Sequence, residues 1–211
     1  IKDINSDDRG VVNAVNCLTV DKCMAAGSVI LADKKKKQLI MLTSRDGGRY
    51  WQPNYNITNL PSSMIASTVN AIICHNKSCL ASGNYETSDN SRLPMILKSN
   101  NGGDNWQFIS SIKNFPDDYN NTSLNKLSCN NNDCVISGIN NASLLTIVSH
   151  DKGTSWSYLQ ENIFPQFMKY PKINSVTFVD NTCIMIGDYH DNQDKSQLLF
   201  LISKDGGHSW T

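Results

Sequence analysis

Each of the four tryptophans in this 211-residue chain closes a copy of one eight-residue box. The boxes read SRDGGRYW (44–51), SNNGGDNW (99–106), SHDKGTSW (149–156) and SKDGGHSW (203–210). Trp51, Trp106, Trp156 and Trp210 stand 55, 50 and 54 residues apart. The sequence upstream repeats as well: VNAVNCLTVDKCMAAG (12–27), VNAIICHNKSCLASG (69–83), LNKLSCNNNDCVISG (124–138) and INSVTFVDNTCIMIG (173–187) superimpose. In each, an Asn (13, 70, 125, 174) follows an aliphatic residue, and a Gly (27, 83, 138, 187) ends the second apolar run. A period near 50 residues through the whole chain restricts the fold to a repeat array. The repeats fall at roughly 1–57, 58–112, 113–162 and 163–211.

Within a period the pattern is all β. VNAIIC and CLASG are short apolar runs split by a polar loop, so they predict a hairpin of strands A and B. LPMILKS (93–99) predicts strand C, and WQFISSI (106–112), after the box, predicts strand D. No stretch combines a 3.6-residue period with helix caps. Four short antiparallel strands per 50 residues describe the blade of a β-propeller.

Six of the seven cysteines form close pairs: Cys17/Cys23, Cys74/Cys79 and Cys129/Cys134. Each pair flanks an A–B turn, so the expectation is three disulfides and an oxidising compartment, hence a secreted, extracellular or periplasmic protein. Reduced core thiols are the competing reading. A metal site lacks the Cys-x2-Cys knuckles it would need. A bridge across so short a loop contributes only about 2 kcal/mol. The fourth repeat has Phe178 in place of the first cysteine, which leaves Cys183 alone as a buried thiol.

Formal net charge is zero, and only 18% of residues are charged. That argues against nucleic acid and anionic membrane surfaces as partners. The basic run Lys34–Lys37 suits a solvated hairpin tip. Apolar runs are too short for a membrane-spanning helix, so no membrane insertion is expected.

The box consensus is Ser-x-Asp/Asn-x-Gly-x-x-Trp. Asp or Asn can accept hydrogen bonds from the turn's own amides, Ser can do the same, Gly allows φ > 0, and Trp brings a large apolar surface. A nucleotide-binding loop needs a following helix, and an EF-hand loop needs several acids and a terminal Glu, so neither matches and no cofactor is expected. The pattern resembles the Asp-box, or BNR repeat, of sialidases, sortilin-type receptors, some glycoside hydrolases and photosystem assembly factors. Ser44, Asp46, Gly48 and Trp51 match it, as do Ser149, Asp151, Gly153 and Trp156, and Ser203, Asp205, Gly207 and Trp210. Ser99, Asn101, Gly103 and Trp106 match with Asn in place of Asp. The resemblance implies a structural hairpin between the third and fourth strands of each propeller blade, on the side away from any ligand.

Sialidase chemistry would need an arginine cluster, a Tyr–Glu nucleophile pair and an acid/base Asp. The four arginines do not supply the cluster: Arg45 and Arg49 lie in a box, and Arg9 and Arg92 are isolated. The glutamates are only Glu86 and Glu161. A two-aspartate glycosidase could draw on Asp117, Asp118, Asp188 and Asp191, although these read as turn residues. No catalytic residue is therefore assigned, and glycoside hydrolysis is the runner-up. The leading expectation is a non-catalytic scaffold that binds a protein or glycan through its variable B–C and D–A loops, which share one end of each sheet. Candidate contacts are Tyr55, Tyr85, Tyr119, Phe167, Tyr170, Tyr189 and His190, with Phe115 and Phe164 nearby. The competing reading packs half or more of these rings inward between blades. Strand D of the last repeat is missing from the sequence, so the expectation is a fragment of a larger propeller rather than a four-bladed ring closed by Ile1–Ile4.

Overall fold

The structure is a computed structural model that describes residues 8–30, 36–130, 132–159 and 168–211. Ile1–Ile4, Lys34, Lys35, Glu161, Phe164 and Phe167 lie outside the described residues. Among the described residues there are sixteen strands and no helix. The chain divides into two compact units, Ile1–Ser110 and Ser111–Thr211.

In the first unit, β1 (Arg9–Cys17), β2 (Cys23–Ile30), β3 (Lys37–Ser44) and β4 (Gln52–Pro53) form one antiparallel sheet in chain order. The second sheet has the order β5 (Ile57–Thr58), β9 (Trp106–Phe108), β8 (Arg92–Ser99), β7 (Ser78–Thr87), β6 (Met64–His75), with β5 parallel to β9. In the second unit, β10 (Thr122–Cys129), β11 (Cys134–Asn140), β12 (Ser143–Ser149) and β13 (Ser157–Leu159) form the third sheet. The fourth holds β14 (Lys169–Val179), β15 (Thr182–His190) and β16 (Ser196–Ser203). The A–B–C order expected from the repeat is present in all four. Strand D is shorter than expected: β9 ends at Phe108, not at residue 112. In the fourth sheet Thr211 exchanges two backbone hydrogen bonds with Ile202.

The repeated Asn and Gly mark one device. In every A–B ladder the register slips beside the Asn: between Val12 and Ala14, Val69 and Ala71, Leu124 and Lys126, and Ile173 and Ser175. Asn13, Asn70, Asn125 and Asn174 are thus the extra residues of β-bulges, which bend strand A. The Gly on strand B pairs with the residue just before the bulge, where the two backbones close in. A Cβ on Gly138 would lie 2.1 Å from the Ser123 carbonyl oxygen, and Gly27, Gly83 and Gly187 face similar contacts. Only Gly allows that approach.

Each unit buries an apolar layer between its two sheets. In the first, Met24, Ala26 and Met41 meet Val69, Ala81, Tyr85, Leu97 and Trp106. In the second, Val135, Leu144 and Val148 meet Ile173, Met185, Leu199, Leu201 and Trp210. Central strands such as β12 are buried on both faces, hence their unbroken apolar run SLLTIVS. The three expected disulfides, Cys17–Cys23, Cys74–Cys79 and Cys129–Cys134, staple the A–B turns. In the fourth sheet Phe178 stands opposite Cys183 in register, and Cys183 is free and buried. Burial pushes its thiol up to about 12, so it stays protonated and unreactive.

Candidate functional site

The box end of each sheet is closed by internal hydrogen bonds. The Ser hydroxyls of all four boxes (Ser44, Ser99, Ser149, Ser203) donate to Asp46, Asn101, Asp151 and Asp205 at 2.7–2.9 Å. The same hydroxyls accept from Gly48, Gly103, Gly153 and Gly207 N–H at 2.7–2.9 Å. The Asp or Asn oxygen accepts from the amide before the Trp: Tyr50, Asn105, Ser155 and Ser209. Trp Nε1–H donates to the carbonyl of that same Gly, from 2.9 Å in Trp51 to 3.2 Å in Trp156. A further bond ties every box to its own A–B turn: Gly47 to Asp21, Gly102 to Lys77, Lys152 to Asn132 and Gly206 to Asn181, at 2.7–2.9 Å. Lys152 occupies, at φ 59°, a left-handed position that is Gly in the other boxes.

These bonds account for the ionisation of the box acids. Asp46 is held below its ordinary value chiefly by the Tyr50 amide, and Asp205 by the Ser209 hydroxyl and amide. Burial raises the Asp151 carboxyl, but hydrogen bonds from Ser155, Ser149 and Thr154 outweigh it and hold the group at about 2. Every lone pair so engaged is withdrawn from any ligand.

The opposite end, where B–C and D–A connections meet, carries open space. In the second unit a cavity of about 510 Å³ is lined by Asn125, Ser137–Ile139, Asn141, Ala142 and Tyr170–Ile173. Its lips are the β11–β12 turn and the start of β14, where Asn141 and Tyr170 both take left-handed φ of 51°. Tyr170 is 66% exposed, with His190 edge-on to its ring at 6.0 Å. In the cavity wall the buried Ser137 hydroxyl has no hydrogen-bond partner, and neither does the Thr146 hydroxyl across the ladder. The equivalent Ser82 hydroxyl of the first unit is buried and unpaired in the same way, so the feature belongs to the repeat rather than to this cavity. In the first unit, Tyr55 is 71% exposed and lines two smaller clefts: one of about 290 Å³ on the box side, with Arg45 and Asp104, and one of about 250 Å³ between Gln38–Met41 and Met64–Ser67.

The remaining sequence candidates fall differently. Tyr85 lies in β7, not in a loop; its ring is buried edge-on to Phe108, and burial raises its hydroxyl. Strand B runs on past Gly83, so alternation turns Tyr85 inward. Tyr119 is half-buried, stacked edge-on with Phe115 and Tyr158 and 3.0 Å from the Tyr158 hydroxyl. Tyr189 is half-buried against the second unit's core. His190 sits beside Tyr170, 3.3 Å from Asp194. Phe167 lies outside the described residues. Of the second unit's candidates, Tyr170 lines the cavity, His190 lies edge-on to its ring without lining the cavity, and Tyr119 does not line it. Sequence reading missed Ser137 and Asn125, because a serine in a buried strand carries no exposure signal.

Two of the candidate acids, Asp188 and Asp191, are engaged by neighbouring donors. Asp191 accepts from Gln193 and Lys195 amides and from Gln197 at 2.8–3.0 Å, and the Lys195 amide above all holds it ionised. Asp188 accepts from Asn174 at 2.9 Å. Arg92 pairs with Glu86 at an exposed strand end. Among the described residues no group of three metal-ligating side chains occurs, and no helix is long and apolar enough to cross a membrane.

No protein-family model and no curated protein matches the chain. Solved structures do. The Hadza microbial sialidase Hz136 aligns with TM-score 0.66 at 13% identity, over 95% of this chain and 44% of its own. The GH93 α-L-arabinofuranosidase of Fusarium graminearum, solved with arabinobiose, gives 0.64 at 14%, over 96% and 66%. YCF48 from Cyanidioschyzon merolae gives 0.55 at 15%, over 99% and 57%. The chain therefore has the β-propeller fold these proteins share, and it spans between about two fifths and two thirds of their lengths.

Proposed function

We propose that this chain is part of a secreted, non-catalytic Asp-box propeller. Its sheets are blades, its boxes are the Asp-box hairpins between strands C and D, and it captures a glycan at the loop end. The observation that carries the reading is the cavity beside Tyr170: about 510 Å³, with an exposed aromatic ring at its lip and Asn125, Asn141 and Lys172 in its lining. That volume is in the range of small-ligand sites. The ring offers a flat apolar platform, while Asn125, Asn141 and Lys172 bring amide and ammonium groups. A sugar presents the matching combination of apolar ring face and hydroxyls. The three disulfides support an oxidising location.

Several fold neighbours are glycoside hydrolases, which keeps hydrolysis as the second reading. The test is a glycan array run beside a panel of glycoside substrates. Binding without turnover, lost in Tyr170→Ala, is the expected result. Turnover that disappears on replacing Asp188 or Asp191 would establish the second reading, and binding of a protein with no glycan would change the ligand class.

A further inference from the structure

Tyr170 stands at the cavity lip in a backbone conformation that its side chain does not favour. Among the described residues, nine non-glycine residues take a positive φ, and seven of them are Asn or Asp. Those two types tolerate the left-handed region, whereas a bulky aromatic there is an outlier. Pro171 follows, which pushes the residue before it toward extended backbone. Tyr170 is nevertheless held at φ 51°. The cause is local. β14 pairs Lys169 with His190 and next Lys172 with Asp188, so Tyr170 and Pro171 together face Tyr189. This is a second bulge in β14, beyond the one at Asn174. A residue in so sparse a region persists only where its surroundings fix it, and such residues cluster at functional sites.

What fixes the ring is the β15–β16 turn. The Asp191 N–H donates to the Lys195 carbonyl at 2.9 Å, and the Asp194 N–H donates to the Asp191 carbonyl at 3.0 Å. The Asp191 carboxylate accepts from the Gln193 and Lys195 amides and from Gln197. This turn places Asp194, at φ 61°, with its carboxylate 3.3 Å from His190 Nδ1. An ionised carboxylate only accepts, so Nδ1 carries the hydrogen and the imidazole is oriented. The His190 ring then meets the Tyr170 ring at 6.0 Å and 89°, the edge-to-face contact that aromatic pairs prefer.

We propose that this turn is a positioning element for ligand capture: Asp191 shapes it, Asp194 orients His190, and His190 holds the Tyr170 ring at the cavity lip. The proposal rests on the reading of that cavity as the glycan site. His190 and Asp194 are positioning residues, since neither lines the cavity. A ring already held in place meets a sugar face without first losing rotamer freedom. Neither residue belongs to the apolar core, and their side chains are 39% and 73% exposed, so removing them leaves global stability in place.

The test puts one fluorine on the Tyr170 ring of the 211-residue chain. It reads the fluorine NMR shift, the thermal midpoint and binding on the glycan array. The expected result is that His190→Ala and Asp194→Ala move the signal toward its denatured-state position and weaken array binding, with the midpoint unchanged. Asp194→Asn, which keeps an acceptor for His190, retains both signal and binding. A fluorine signal that both Ala variants leave in place overturns the proposal, whether or not the array returns a ligand. A moved signal with array binding intact overturns it too. A parent chain that binds nothing on the array contradicts the glycan reading, and the fluorine signal then decides the positioning by itself.

Discussion

Ser99 donates its hydroxyl hydrogen to Asn101 at 2.9 Å, the bond that Ser149 makes to Asp151 at 2.8 Å. An amide oxygen therefore does in one box what a carboxylate does in the other three, and the turn does not need the charge to fold. The charge does make folding sensitive to acid. Asp46, Asp151 and Asp205 all lie below their ordinary value in the folded chain, so the unfolded chain takes up protons first. The stability they contribute is complete above about pH 4 and is lost as pH falls toward 2. Urea midpoints at pH 5 and pH 2.5 should show Asp151→Asn losing less than the parent chain. An equal loss would mean that the box acids do not carry the acid sensitivity.

Gly138 is expected to tolerate no side chain. Its Cβ would collide with the Ser123 carbonyl at the Asn125 bulge, and backbone on both sides prevents escape. Gly138→Ala should destabilise by about 3 kcal/mol, in the upper range for overpacking. Denaturant unfolding checks it, and a loss below about 1 kcal/mol would show that the bulge can open.

The four box tryptophans are not equivalent. Trp106 and Trp156 are 2% exposed, whereas Trp51 is only half-buried at the edge of a smaller cluster. Trp106→Ala should cost about 3–5 kcal/mol, and Trp51→Ala clearly less. Thermal unfolding of the two variants gives the order, and the reverse order would contradict the packing described.

Thiol counting tests the covalent framework. In the unreduced, denatured chain one thiol, Cys183, should alkylate, and in the native chain none should, because burial keeps that thiol protonated. Seven reactive thiols in the denatured chain would remove the argument for an oxidising compartment.

The repeat, the all-β character, the A–B hairpins and the disulfide pairs were legible in the sequence because each recurs with the period. The joint meaning of Asn125 and Gly138 was not, since a bulge is a relation between two strands and either residue alone reads as a turn former. Strand D was over-read at 106–112: it ends at Phe108, and beyond that the Ile109 amide still bonds to Ile96 of strand C. For the site, Tyr170 was legible as an exposed aromatic, although it stands at the start of β14 and not in a connection. Tyr85 misled because only the observed length of strand B shows which way it points. Ser137 gave no sign, because its hydroxyl matters only through the space left between two sheets.

The most direct test of the account is amide chemical-shift mapping of the intact chain with an oligosaccharide returned by the glycan array. The account predicts perturbations at Asn125, Gly138, Asn141 and Lys172, with the four boxes silent, and their loss in Tyr170→Ala. Perturbations centred on Ser44–Trp51 or the other boxes, with the Tyr170 cavity silent, would contradict it.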